Sequence, residues 1–183
     1  MKRAVALMAV LAVACTHSSS KPRIDGVAEF KDLSHSHKPP YAYAQTPPVG
    51  GAHSPAWLKC GVYTEPVPDV NAVHSMEHGA VWITYQPSLS RADLDALHRF
   101  QGLNPNYVLI SPYPGLPSLV VVSTWGLQLK VDRVDDPRIG EFVKAYAGGD
   151  QGGEGGSDCA RVGLTPDKAR EYDASASASP PPM

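Results

Sequence analysis

Hydrophobic and polar positions along residues 80–147 fall into runs with two different periods. Ala80-Val-Trp-Ile-Thr-Tyr85 is rich in β-branched and aromatic residues and predicts a strand. Ser90 then caps a helix: Asp93 stands three residues on, Leu94, Leu97 and Phe100 recur on one face, and Gly102 ends it. Tyr107–Ser111, bounded by Pro105 and Pro112, predicts a second strand, and Leu119–Trp125 a third. Gly126 marks a bulge or turn, after which Leu127, Leu129 and Val131 alternate with Gln128, Lys130 and Asp132 as in a half-buried strand. Asp136-Pro137 starts a last helix whose Ile139, Phe142, Val143 and Tyr146 repeat at i, i+3, i+4 and i+7, and Gly148 stops it. The order β-α-β-β-α predicts an α+β fold, a small antiparallel sheet with two helices on one face.

The flanks carry no such period. Residues 41–73 hold Pro47, Pro48, Gly50, Gly51, Pro55, Pro66 and Pro68, which predicts a long loop over the domain surface, and loops of that length usually carry function. Residues 15–40 are polar and hold Pro22, Pro39 and Pro40, with His35 and His37 among them, so they are expected to be a flexible tether. Residues 148–157 contain six glycines in ten, and Ala174–Met183 alternates Ala and Ser before three prolines. Both stretches predict a tail without packed structure over 148–183, apart from a tail-back around Cys159. The folded unit is then a single domain over 41–147.

Composition narrows the function classes. The chain has 183 residues, with Lys plus Arg at 16, Asp plus Glu at 18 and a formal charge of −2. No basic surplus exists to neutralise phosphates, so no nucleic-acid partner is expected. Hydrophobic residues at 43 % allow a core, while 16 Gly and 18 Pro exclude a long coiled coil.

The N-terminus predicts an address. Lys2 and Arg3 precede the apolar run Ala4–Val13, too short to span a bilayer, and Leu11-Ala12-Val13-Ala14 leads into Cys15. Residues 1–14 therefore match a lipoprotein signal peptide and Cys15 the lipidation site. The expected location is the bacterial cell envelope, outside the cytoplasm, with the membrane as partner through the lipid. In that oxidising compartment the other two cysteines, Cys60 and Cys159, form a disulfide by default; the competing role is Cys60 as a thiolate ligand.

Candidate chemistry gathers at His53 and at His74-Ser75-Met76-Glu77-His78-Gly79. A spacing of four puts His74 and His78 on one side in a helix and in a strand alike. A helix adds Glu77 beside His74, an arrangement that suits zinc and matches the H-x-x-E-H form of zinc hydrolases. A strand adds Met76 and turns Glu77 away, which suits copper. The metal candidates are thus His53, His74, His78, Met76 and Glu77, with copper first and zinc second. A plainer role has the histidines hold the loop by hydrogen bonds.

At these residues the chain resembles a bacterial family of secreted or membrane-anchored domains of unknown function. The resemblance runs through Pro47-Pro48-Val49-Gly50-Gly51-Ala52-His53, Cys60-Gly61-Val62-Tyr63, Glu65-Pro66-Val67-Pro68, His74-Ser75-Met76-Glu77-His78-Gly79 and Trp125-Gly126, within residues 41–147. It implies an extracytoplasmic domain whose shared histidines and glutamate fall at His53, His74, Glu77 and His78, and it implies no activity. Met76 stands where similar sequences often have Leu. The combined expectation is a lipid-anchored envelope protein that binds a transition metal and is not an enzyme. The alternatives are a zinc-dependent hydrolase and a metal-free structural or interaction domain.

Overall fold

The computed structural model describes residues 23–178. The expected signal peptide, Cys15 and residues 179–183 lie outside the described residues. Six strands, β1 (Val27–Glu29), β2 (Gly61–Val62), β3 (Val81–Tyr85), β4 (Val108–Pro112), β5 (Val120–Thr124) and β6 (Leu127–Val131), form one sheet in the order β1-β6-β5-β3-β4-β2. Among the described residues, five α-helices and one short 3-10 helix (Gln101–Leu103) accompany it: α1 (Asp69–Glu77), α2 (Arg91–His98), α3 (Pro137–Tyr146), α4 (Cys159–Val162) and α5 (Pro166–Ala178).

The α+β class and the order of elements in residues 80–147 follow the sequence expectation. Val81–Tyr85 is buried throughout because β3 is central and covered on both faces. Ser90 caps α2 by accepting from the Asp93 N–H at 3.1 Å. Asp136 caps α3 by accepting from the Arg138 N–H, with Pro137 in the first turn. Trp125-Gly126 is the two-residue turn joining β5 to β6, and Gly126 takes φ +72°, a conformation open to glycine.

The sheet differs from the expectation in size and direction. It has six strands and is mixed: β4 runs parallel to both β3 and β2, and the other pairs are antiparallel. The α2 crossover between β3 and β4 makes the parallel pairing possible. One face packs Val81, Ile83, Ile110 and Val122 against Ile139, Phe142 and Val143 of α3 and Leu97 of α2. The other face, with Trp82 and Leu109, is covered by Ala72, Val73 and Met76 of α1 and by Ala169 of α5.

Both flanks are packed where they are described. Residues 23–40 are not a free tether. Ile24 is buried, β1 pairs with β6, and the Phe30 N–H donates to the Gly126 carbonyl at 2.7 Å. The glycine tract is likewise folded: the Gly148 N–H donates to the Gly79 carbonyl at 2.9 Å, and Gly152 rests on the backbone of Glu77. Glycine there serves close backbone approach and not slack. Further on, Leu164 bridges to Leu58, and Cys159 is paired with Cys60 as a disulfide with the Cα atoms 5.1 Å apart. Ala174–Ala178, expected to be disordered, continues α5. Among the described residues, no helix is long and apolar enough to cross a membrane.

Candidate metal centre

The segment His74–Glu77 is helical, which decides between the two ligand sets the spacing allowed. The face of α1 turned toward the Pro/Gly loop is polar and bonded to the loop backbone, although Asn71 Oδ1 is buried without a partner. Asn71 donates to the Ala56 carbonyl at 2.8 Å, and Ser75 donates to the Leu58 carbonyl at 3.0 Å while accepting from the Leu58 N–H. His74 and Glu77 then project together into the space under the loop, and His78 ends the helix as its C-cap. Met76 points the other way. It is fully buried among the apolar residues of the core with Trp82 and Leu109, off the face that carries His74 and Glu77, and the strand-based argument for a thioether on copper loses its basis.

Three further segments close on α1. The Gly50–Ser54 loop delivers His53, which is fully buried. The segment expected as tether delivers His35 and His37, clipped in place by a bond from the His53 N–H to the Ser36 carbonyl at 2.9 Å. Trp125, at the β5–β6 turn, stacks on His35 with ring centroids 4.5 Å apart and meets His53 edge-on at 5.6 Å. Trp57 lies edge-on to His78 at 3.7 Å.

One ligand atom from each of His37, His53, His74 and Glu77 lies within 4.8 Å of every other. The backbone sets the tautomers: His53 Nδ1 donates to the Gly51 carbonyl at 2.7 Å and His74 Nδ1 to the Ser54 carbonyl at 2.7 Å. Each Nε2 is thereby aimed inward, as a carbonyl behind a ligating imidazole does in metal sites. His53 Nε2 lies 2.9 Å from Glu77 Oε2, His37 Nε2 lies 3.6 Å from the same oxygen, and His35 Nδ1 lies 2.5 Å from Oε1.

The electrostatics keep His74 and Glu77 in their binding forms. Burial, followed by the charge of His53, pushes His74 down to about 3, so its imidazole is neutral near pH 7. Burial works to raise Glu77, but the ring nitrogens of His53 and His35 beside its two oxygens outweigh it and hold the carboxyl at about 2. His78 is also lowered, chiefly by burial.

The structure thus brings together His53, His74 and Glu77 from the sequence candidates and sets His78 beside them. His78 lies in a second group with Glu77 and Glu154. Cys60 belongs to the disulfide and stands outside both groups. His35, His37 and the carboxylate of Glu154 were not among the candidates. The one local signal for the first two is their spacing of two, which puts both side chains on one side of an extended segment.

A family described as "Protein of unknown function (DUF3105)" matches residues 35–161, more than half of the chain, and the chain belongs to that family. The match begins at His35 and reaches past Cys159, so it spans both groups and the disulfide. No curated protein and no solved structure matches the chain.

Proposed function

From membership of this family, which brings no activity with it, we propose that the domain binds a divalent transition metal ion through His37, His53, His74 and Glu77. The observation that carries this is the convergence of three imidazoles and one carboxylate within 4.8 Å. Three nitrogens and one oxygen, with no sulfur, suit zinc. The ion supplies the positive charge that a buried glutamate and inward-facing imidazole lone pairs call for.

The binding reading is favoured over hydrolysis by the position of Glu77. A hydrolase of the H-x-x-E-H type uses that glutamate as a base toward water. Here its side chain is buried and both oxygens face histidines. We further propose, from the sequence alone, that the domain is held outside the cytoplasm by a lipid on Cys15. Membrane fractionation of a Cys15→Ser variant tests that part: release or failed processing supports it, and retention after a salt wash rejects it.

Metal analysis tests the centre. Protein incubated with Zn²⁺ and desalted should retain metal, and His74→Ala and Glu77→Gln should each lose it. Wild-type protein that retains neither zinc nor copper would instead favour a structural role for the histidines.

A further inference from the structure

We propose a second divalent cation site beside the first, built from His78, Glu154 and Glu77, with Glu77 shared between the two as a bridging carboxylate. The inference rests on the metal reading above and adds a second ion to it. It starts from hydrogen-bond accounting at His78. His78 Nδ1 faces the Glu154 carbonyl at 3.0 Å, so Nδ1 carries the proton and Nε2 carries a lone pair. That Nε2 faces His74 Nε2 at 3.0 Å. His74 has its own proton on Nδ1, toward the Ser54 carbonyl at 2.7 Å. Two lone pairs therefore point at each other.

The neighbouring Glu154 carboxylate does not relieve this. Glu154 Oε2 lies 3.6 Å from His78 Nε2 and is another acceptor. A cation satisfies all of these groups at once. One ligand atom from each of Glu77, His78 and Glu154 lies within 4.8 Å of the others, as in the first group. Glu77 belongs to both groups, and as a bridge it would give one oxygen to each ion in place of its metal-free contacts with His53 and His35. The adjacent nitrogens His74 Nε2 and His78 Nε2 then serve different ions. Bridged pairs of divalent ions sit about 3.5–4 Å apart, a separation that one carboxylate spans.

The two sites differ in access. Of the first group only His37 is exposed, while in the second only the shared Glu77 is buried and the Glu154 side chain is 55 % exposed. The first ion would reach solvent only on the His37 side, and the second on the side of Glu154, where an added ligand could join it. Its donors, one nitrogen and two carboxylates, fit a divalent ion of intermediate hardness such as Zn²⁺, Co²⁺ or Mn²⁺.

Metal stoichiometry decides it. The full-length protein is equilibrated with Zn²⁺, desalted and analysed, with Co²⁺ titration followed by its visible spectrum. Two equivalents in the wild type and one in Glu154→Gln are expected. The exposed position of Glu154 makes that substitution benign for folding, and a matching melting curve of the chelated proteins checks this. One equivalent in both proteins overturns the second site and leaves the first standing. Two equivalents in both overturn the role of Glu154. No retained metal in the wild type overturns the reading on which the inference rests.

Discussion

Gly152 and Glu77 lie so close that a Cβ built on Gly152 would come 2.4 Å from the Glu77 carbonyl oxygen and 2.5 Å from its Cα. The glycine tract is therefore seated on the last turn of α1, at the residue that belongs to both ligand groups. This contact also fixes the stretch that carries Glu154 to His78. Composition alone suggests slack here, but the backbone contact requires a residue without a side chain.

Gly152→Ala is expected to destabilise the protein by about 1–3 kcal/mol, the usual cost of forcing extra volume into a packed place. It should also weaken metal uptake at His78 and Glu154. Gly102→Ala is the matched control, because nothing lies within 4 Å of its Cβ position. Thermal melts of both variants check this, and equal melting temperatures would refute the seating of the tract.

The Cys60–Cys159 disulfide closes a chain separation of 99 residues. Loop-closure entropy for such a length corresponds to about 4–5 kcal/mol before strain is subtracted. Cys159→Ser should lower stability by a large part of that in denaturant titration. Zinc retention by His37, His53 and His74 should persist at temperatures where the variant is folded. A mass 2 Da lower without reductant than with it tests the bond directly.

How far these features could be read from the chain follows from where their information lies. Elements α2, α3 and β3 to β6 were legible because each buries an apolar face whose period is written locally, as Ile139, Phe142, Val143 and Tyr146 show. The helix α1 was ambiguous because its loop-facing side is polar. Asn71 and Ser75 are buried there by bonds to the Ala56 and Leu58 carbonyls, and those partners cannot be seen in the period. His35 and His37 were hidden for a related reason. Their segment has no period of its own and is held by the His53 N–H and by Trp125, both distant in sequence. His53, His74 and Glu77 could be named because their residue types and spacing are unusual; which of Met76 and Glu77 joined them depended on the helix.

Met76 and Glu77 are adjacent in sequence but play opposite parts, and paired substitutions separate them. Met76→Leu conserves volume in the core and should cost less than about 1.5 kcal/mol with metal uptake unchanged. Glu77→Gln keeps the shape but removes the charge and should abolish or sharply weaken uptake. Zinc titration of the two variants with equal melting temperatures checks both outcomes. Loss of metal in Met76→Leu would restore the thioether as a ligand.

Acid should unfold the metal-free protein, and two buried groups set where this begins. His74 is pushed from 6.5 down to about 3 in the fold, so the folded state resists a proton that the unfolded chain takes up. Its contribution is complete above pH 6.5 and falls away as pH drops toward 3. Glu77 is held at about 2 against an ordinary 4.5, so its contribution is complete above pH 4.5 and falls away toward pH 2. In both cases the unfolded state binds more protons, so stability rises with pH, by at most about 1.4 kcal/mol per pH unit for each group. Denaturant midpoints of the chelated protein should therefore hold level above pH 7, decline below pH 6.5 and decline more steeply below pH 4.5. Glu77→Gln should remove its share of the second decline. A wild-type midpoint unchanged from pH 7 to pH 4 would mean that His74 is solvated and protonates freely in the folded protein.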